Sequence, residues 1–416
     1  MDNPAMALQN HAIMGDFLKT MDWLGRARAF GYLRLLALLN VAMLVLLVAT
    51  SQGGIDRNGF LLGSDFISFW TSGRMLHHGG AVYDTAAHIA AQREFFASGD
   101  SYTAFFYPPS FLPLCWPLGL TGYFPALAAW LLATGAFYVL TVRQWWRQAV
   151  PAVPLWLLVL AFPAMPIVMT HGQTSFLVAG LLGLGAWLVP SRPVLAGVLF
   201  GLATIKPQFG PLVPLALLLT HEWKVIASAA ITALALAGLA ALAFEPGIWA
   251  EWLAASGRAQ AAMEAGAVPF GKMVSTFAAA RLLGAPAAVA YGLQVAVALT
   301  VVLAIAYLCR LGAWSAGLGA TVLAGAPLVT PFVLDYDLVL IAFPLLYLAG
   351  EGLRTGFRDW EKLGLLLAFV VPVFARPLAL KASIPVTPLV LLLLFALIVS
   401  RSAADARSER HAQQRT

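Results

Sequence analysis

This sequence carries very little charge. Lys and Arg number 25 and Asp and Glu 19 in 416 residues, so 11% of the chain is charged, against roughly 25% in a soluble domain. So few charges do not cover the surface of a water-soluble protein of this length. A soluble enzyme, a nucleic-acid binder and a disordered scaffold are thereby excluded. Cysteine is nearly missing as well. Cys115 and Cys309 both lie in apolar stretches, make neither a disulfide framework nor a zinc site, and read as packing residues. There is no Gly-rich phosphate loop of the Walker kind. Nor is there an internal repeat at fixed period, which weakens a secondary-transporter reading. What the chain has is hydrophobicity: 61% apolar residues, 13 Trp and 25 Phe, with a mean hydropathy of +0.82. Apolar runs of spanning length on that background define an all-α, polytopic integral membrane protein.

Spanning segments are expected near 30–50, 119–142, 152–170, 174–190, 194–206, 208–220, 225–244, 286–308, 312–330, 334–349, 363–376 and 384–400. That is a bundle of about 10–12 helices, because 194–206 and 208–220 are short and interrupted by Pro and Gly. With the N-terminus inside, sixteen of the 25 Lys and Arg residues are cytoplasmic. The other nine are Arg57, Arg74, Arg93, Lys206, Arg258, Lys272, Arg281, Arg376 and Lys381. This split places both termini in the cytoplasm, and the same bias accounts for the net charge of +6. Residues 1–29 form a cytoplasmic segment in which Ile13, Phe17, Leu18, Met21 and Leu24 recur at helical spacing, an amphipathic pattern suited to the inner surface. Residues 30–400 make one transmembrane domain, and the polar tail 401–416 reads as disordered. The first outer loop, 51–107, and the second, 245–272, far exceed the usual ~2–8-residue connection between helices. Within the first, Ser64–His78 and Thr85–Ala97 read as helices lying along the outer membrane surface.

The outer half holds the unusual polar residues. Asp65 follows Gly63-Ser64 and precedes Phe66, Phe69 and Trp70. A carboxylate there serves as a general base toward a hydroxyl, or simply caps the helix that starts at Phe66. Tyr83-Asp84 after a Gly-Gly pair lines a groove or fixes a turn. Tyr107-Pro108-Pro109 suits a rigid return into the membrane beside interfacial aromatics. His171-Gly172-Gln173 joins two spans with almost no loop. Lys206 lies between apolar segments, where a lysine is costly and a functional suspect. No acid is near it in sequence, so a lipid phosphate is one partner and snorkelling to outer headgroups the other reading. Asp335-Tyr336-Asp337 opens an apolar helix, where acids also complement the helix dipole. Arg281 and Arg376 are outer cations that hold a phosphate or a headgroup.

Taken in order, Ser64-Asp65-Phe66-Ile67-Ser68-Phe69-Trp70, Gly80-Ala81-Val82-Tyr83-Asp84, Tyr107-Pro108-Pro109, His171-Gly172-Gln173-Thr174-Ser175, Gly201 to Pro207 and Pro331 to Asp337 resemble glycosyltransferase family 87. These are the polyprenyl-phosphate-mannose-dependent membrane glycosyltransferases of the GT-C superfamily, and the likeness spans roughly residues 60–345. The resemblance implies a GT-C-type bundle with a long first non-cytoplasmic loop, in a bacterial inner membrane, its cavity open to the outer leaflet. It implies an inverting hexosyltransferase that moves a sugar, commonly mannose, from a polyprenyl-phosphate donor to a hydroxyl of a lipid or glycan acceptor. Carried onto this chain, Asp65 is the catalytic base. Lys206, Arg281 and Arg376 bind the donor phosphate. Tyr83, Asp84, Tyr107, His171, Gln173, Asp335, Tyr336 and Asp337 shape the cavity and the acceptor site. No metal and no cofactor are expected. Family members often carry a histidine near the Pro331–Asp337 segment, which this chain replaces with Asp335-Tyr336-Asp337. A transporter or flippase of a lipid-linked sugar or small solute is the alternative, and would tolerate loss of any one carboxylate. A noncatalytic scaffold would need neither Asp65 nor Lys206.

Overall fold

The computed structural model describes residues 16–96, 102–245 and 247–413. Its helices are α1 (Arg26–Ala49), α2 (Phe66–His77), α3 (Thr85–Phe95), α4 (Leu112–Leu118), α5 (Tyr123–Ala149), α6 (Leu155–Ala161), α7 (Ala164–His171), α8 (Ser175–Leu188) and α9 (Pro193–Leu202). They continue with α10 (Leu212–Leu219), α11 (Trp223–Phe244), α12 (Ile248–Glu264), α13 (Thr276–Leu282), α14 (Ala287–Leu311), α15 (Ala316–Val329), α16 (Ala342–Thr355), α17 (Glu361–Ala382) and α18 (Thr387–Gln413). A 3₁₀ turn, Asp335–Ile341, leads straight into α16. No strand occurs among the described residues, only isolated bridges such as Met273–Leu334. The protein is an all-α polytopic membrane protein.

Every expected apolar segment contains a helix, but the helices differ in reach. Seven are long and apolar enough to cross a membrane, and Ser175–Leu188, Pro193–Ile205 and Ala316–Val329 are shorter apolar helices. Two expected spans are broken by proline, which removes a backbone donor and clashes with the preceding turn. The 152–170 segment divides at Phe162-Pro163 into α6 and α7. Asn40 of α1 spans that break, donating to the carbonyls of Leu160 at 2.8 Å and Ala161 at 3.1 Å. The 208–220 segment, with Pro211 and Pro214, shrinks to α10.

Burial sorts the long helices into centre and periphery. The apolar window of Asp335–Thr355 is 72% buried, whereas that of α1 is 6% and that of α11 is 11%. The centre is α8, α15 and α16, built on small residues that let backbones approach. Indole and phenol donors there bond carbonyls of neighbouring helices: Tyr138 to Val339 at 2.9 Å, Trp145 to Gly183 at 3.1 Å and Trp314 to Ala186 at 3.0 Å. In a lipid setting an unmade bond of this kind is expensive. Gly197 and Gly201 of α9 lie against α11 so closely that a Cβ on Gly197 would come within 1.9 Å of Ser228 Oγ.

One expectation about the ends changes. Residues 401–413 are not a disordered tail but the last turns of α18. Arg401 is buried and binds Glu361 at 2.9 Å, Thr355 Oγ1 at 3.0 Å and the Gly356 carbonyl at 2.8 Å. Composition made that stretch look solvated because its charges are satisfied by residues far away in sequence; residues 414–416 lie outside the described part. Helix α2 in the first loop is a packed element of the fold. Phe66 and Phe69 are fully enclosed, and α2 packs on α4 and on the rings of Tyr123 and Trp130. Near the N-terminus, Met21 is buried and the Lys19 carbonyl accepts from Trp360 N at 2.8 Å, so this segment docks on the α16–α17 loop. Ile13 falls outside the described residues.

Candidate active site

Six separate stretches of chain bring their polar residues to one end of the bundle. The loop after α1 is pinned by Tyr123, whose hydroxyl donates to the carbonyls of Leu62 at 2.8 Å and Gly63 at 2.7 Å. The turn between α7 and α8 receives the next residues. Gly63 N donates to Thr170 O and Asp65 N to His171 O, each at 2.9 Å. That turn depends on Gly172, which is left-handed at φ 66° and sits where a Cβ would meet Phe66 Cβ at 2.6 Å. Trp130 closes it by donating to Gly172 O at 3.0 Å.

Asp65 occupies the N-cap position of α2, yet its side chain makes no capping bond. Its Oδ2 accepts from Gln173 Nε2 at 2.8 Å, and Ser64 Oγ approaches Oδ1 at 3.4 Å. The capping alternative is therefore not the one adopted. Gln173 Oε1 accepts from Tyr107 OH at 2.8 Å and Thr174 N at 2.9 Å, while its Nε2 also reaches Tyr336 OH at 3.2 Å. The Tyr107 ring packs on Phe69 and Phe111. Burial raises its phenol well above the ordinary value, so it stays a donor.

Behind this layer are two ion pairs. Lys206 Nζ meets Asp337 Oδ1 at 2.5 Å, with side-chain exposures of 6% and 3%. Ser175 Oγ donates to the same oxygen at 2.7 Å. Lys206 thus has an acid partner from 131 residues further along the chain, which the neighbouring sequence does not show. Arg376 pairs with Asp335: Nη2 donates to Oδ1 at 2.8 Å, and Nε lies 2.7 Å from Oδ2 without a hydrogen-bond geometry. Its Nη1 and Nη2 both lie 3.4 Å from His171 Nε2. His171 Nδ1 donates to Ile167 O at 2.8 Å, which leaves Nε2 as the unprotonated nitrogen of the neutral ring. Tyr336 sits between the two pairs, its ring 5.2 Å from Lys206 Nζ and 5.6 Å from the His171 ring. Two cations therefore answer three carboxylates, and Asp65 forms no ion pair among the described residues. It is also only half-buried, like His171, Tyr107 and Arg376, whereas Gln173, Lys206, Asp335, Tyr336 and Asp337 are enclosed.

Asp65, Tyr107, His171, Gln173, Lys206, Asp335, Tyr336, Asp337 and Arg376 thus form one connected cluster. Of the remaining three expected residues, Tyr83 touches it only at a backbone carbonyl, and Asp84 and Arg281 do not join it. Tyr83 donates to the Tyr107 carbonyl at 2.8 Å, and Asp84 caps α3 by accepting from Ala87 N at 2.7 Å. Both border a depression with Thr85, His88, Tyr102 and Phe105. Arg281 lies over the Phe270 ring and donates to the carbonyls of Ala285 and Glu264. Ser175 and Thr174 also belong to the cluster; the sequence places them in the His171–Ser175 motif but gives them no site role, since short hydroxyl side chains are common at helix starts. His88, Gln92 and Ser72 form a further buried network in the first loop. His88 Nε2 lies 3.2 Å from Ser72 Oγ, and Gln92 clamps Thr103 through both its N and its O. Thr103 Oγ1 in turn donates to Ser64 O at 2.8 Å, beside Asp65. No group of three or more His, Cys, Asp or Glu placed to hold a metal occurs among the described residues.

A helical membrane protein with one unpaired, half-open carboxylate in a polar layer at the end of its bundle is suited to proton transfer on a polar substrate at the membrane face. The model of glycosyltransferase family 87 matches residues 105–331, more than half of the chain, and the chain belongs to that family. It is a membrane glycosyltransferase, taking a sugar donor and an acceptor. The match includes Tyr107, His171, Gln173, Lys206 and Arg281, while Asp65, Asp335, Tyr336, Asp337 and Arg376 fall outside it. Neither the curated proteins nor the solved structures yield a match.

Proposed function

We propose that the protein transfers a sugar, mannose foremost, from a polyprenyl-phosphate donor to a hydroxyl of a lipid or glycan acceptor, with inversion, and with Asp65 as general base. The observation that carries this reading is the pairing pattern: among the described residues, Asp335 and Asp337 are each neutralised by a cation, and Asp65 is not. An acceptor hydroxyl holds its proton far above neutral pH, so a positioned carboxylate matters, typically about 10²–10⁴-fold in rate. Asp65 takes that proton as the acceptor oxygen bonds to the anomeric carbon. The bond from that carbon to the phosphate oxygen breaks, and its electron pair leaves with the phosphate. Donor and acceptor balance the reaction without a co-reactant.

The cation placed to meet the phosphate is Arg376, whose side chain is 27% exposed and whose Nη1 is not used by Asp335. A preorganised cation at the leaving oxygen stabilises developing charge. Lys206 lies deeper, and in this reading it holds Asp337 and Tyr336 instead of touching the donor. Arg281 is engaged by backbone carbonyls and is not used. The active end faces the non-cytoplasmic side of a bacterial inner membrane, as the outer placement of Lys206 and Arg376 in the charge pattern supports.

The test is transfer in membrane vesicles given radiolabelled polyprenyl-phosphate mannose, with polyprenyl-phosphate glucose in a parallel arm. Wild-type vesicles incorporate label into lipid or glycan, and Asp65→Asn vesicles lose about 10²-fold or more. Full incorporation by Asp65→Asn removes the base. Label that crosses the membrane without being incorporated favours a flippase.

A further inference from the structure

The turn that carries Gln173 touches the proposed base at three points. Thr170 O and His171 O accept from Gly63 N and Asp65 N, and Gln173 Nε2 donates to Asp65 Oδ2. The orientation of the Gln173 amide is fixed by Thr174 N, which only donates, so the atom 2.9 Å from it is Oε1. Tyr107 OH bonds the same oxygen at 2.8 Å. The NH₂ group therefore faces Asp65 and Tyr336 OH, and its two hydrogens are both engaged. Gln173 is 6% exposed, which makes its side chain a fixed strut. On the carboxylate, Oδ2 is occupied, whereas among the described residues Oδ1 has only Ser64 Oγ at 3.4 Å.

We propose that Gln173 is a positioning residue for transfer: it holds Asp65 by one carboxylate oxygen and presents the other to the acceptor hydroxyl. This rests on Asp65 being the base. An amide suits the task because it donates a hydrogen bond and carries no charge. A cation at this place would bind Asp65 as Arg376 binds Asp335 and blunt it as a base. An acid would make two carboxylates compete for one proton.

The test is the pH dependence of sugar transfer from radiolabelled polyprenyl-phosphate mannose in vesicles carrying the full-length protein, comparing wild type, Gln173→Glu, Gln173→Ala and Asp65→Asn. Gln173→Glu keeps an oxygen for Tyr107 OH and Thr174 N and sets a carboxyl against Asp65 Oδ2. The acid limb of its rate profile should rise by about one pH unit or more. Gln173→Ala should lower the rate at every pH and, because the carboxylate loses a donor, move the limb upward by less than Gln173→Glu does. A purely structural role would lower amplitude in both variants and shift neither profile, so an unmoved limb in Gln173→Glu overturns the proposal. Asp65→Asn read first keeps the two claims apart: activity in that variant removes the base itself, whatever Gln173 does. Should Gln173→Glu not accumulate, Tyr107→Phe takes one of the two bonds that orient the amide. It should cut kcat about tenfold or more with the donor KM unchanged, and a wild-type kcat there counts against the proposal equally.

Discussion

Removing either half of the Lys206–Asp337 pair should cost far more than removing both. The side chains are 6% and 3% exposed and meet at 2.5 Å. Once Lys206 becomes Met, Asp337 keeps only Ser175 Oγ at 2.7 Å and the long bond from Leu334 N at 3.4 Å. That leaves a buried carboxylate with no counter-charge, a change that costs about 3–5 kcal/mol. Asp337→Leu alone strands the ammonium to a similar degree. In the double variant both charges are gone and the main loss is the Ser175 hydroxyl's acceptor, about 1–3 kcal/mol. The coupling energy in the cycle should therefore reach about 2 kcal/mol or more. Unfolding of the detergent-solubilised protein, titrated with a denaturing detergent, measures all four corners. Single variants each costing under about 1 kcal/mol, as an exposed pair would, or a double variant as damaged as the sum of the singles, refutes the reasoning. The double variant should also retain sugar transfer within about tenfold of wild type, since Lys206 acts here through Asp337 and Tyr336; loss of donor binding instead would place Lys206 on the phosphate.

Gly172→Ala combines a left-handed φ of 66° with a Cβ 2.6 Å from Phe66 Cβ; a thermal melt should show a loss of about 1–3 kcal/mol, and a wild-type melt would mean the turn relaxes freely. His88 is neutral in the folded loop down to about 4 because burial disfavours its charge, while the unfolded ring takes a proton near pH 6.5. The folded value is the lower, so this contribution is complete above about pH 6.5 and declines toward pH 4, by up to about 3 kcal/mol. Limited proteolysis of the first loop should accelerate across that window, and a flat rate would contradict it.

Hydropathy made the twelve apolar segments legible because a helix in lipid must be apolar along its whole length. It overstated 152–170, where Pro163 breaks the backbone pattern, a local effect that a windowed reading averages away, whereas the short, Pro-interrupted 208–220 was legible as such. The clustering of Asp65, Gln173, Lys206 and Asp337 is tertiary, and a single sequence holds no distance between residue 65 and residue 173. The same blindness left Lys206 without its acid and hid the Arg401–Glu361 pair that orders residues 401–413. Asp65 as helix cap and Asp65 as base are spelled identically. The missing capping bond and the amide bond from Gln173 set the cap aside. Asp84 caps α3, whereas Tyr83 bonds the distant Tyr107 carbonyl, and both border a depression.

The central claim is that Asp65 removes the acceptor's proton, and the most direct measurement is kcat for sugar transfer by the purified Asp65→Asn protein at saturating polyprenyl-phosphate mannose, beside its affinity for that donor. The account predicts a fall in kcat of about 10²–10⁴-fold with donor affinity and melting behaviour close to wild type. A kcat within a few-fold of wild type, or a loss traced wholly to weakened donor binding, would contradict it.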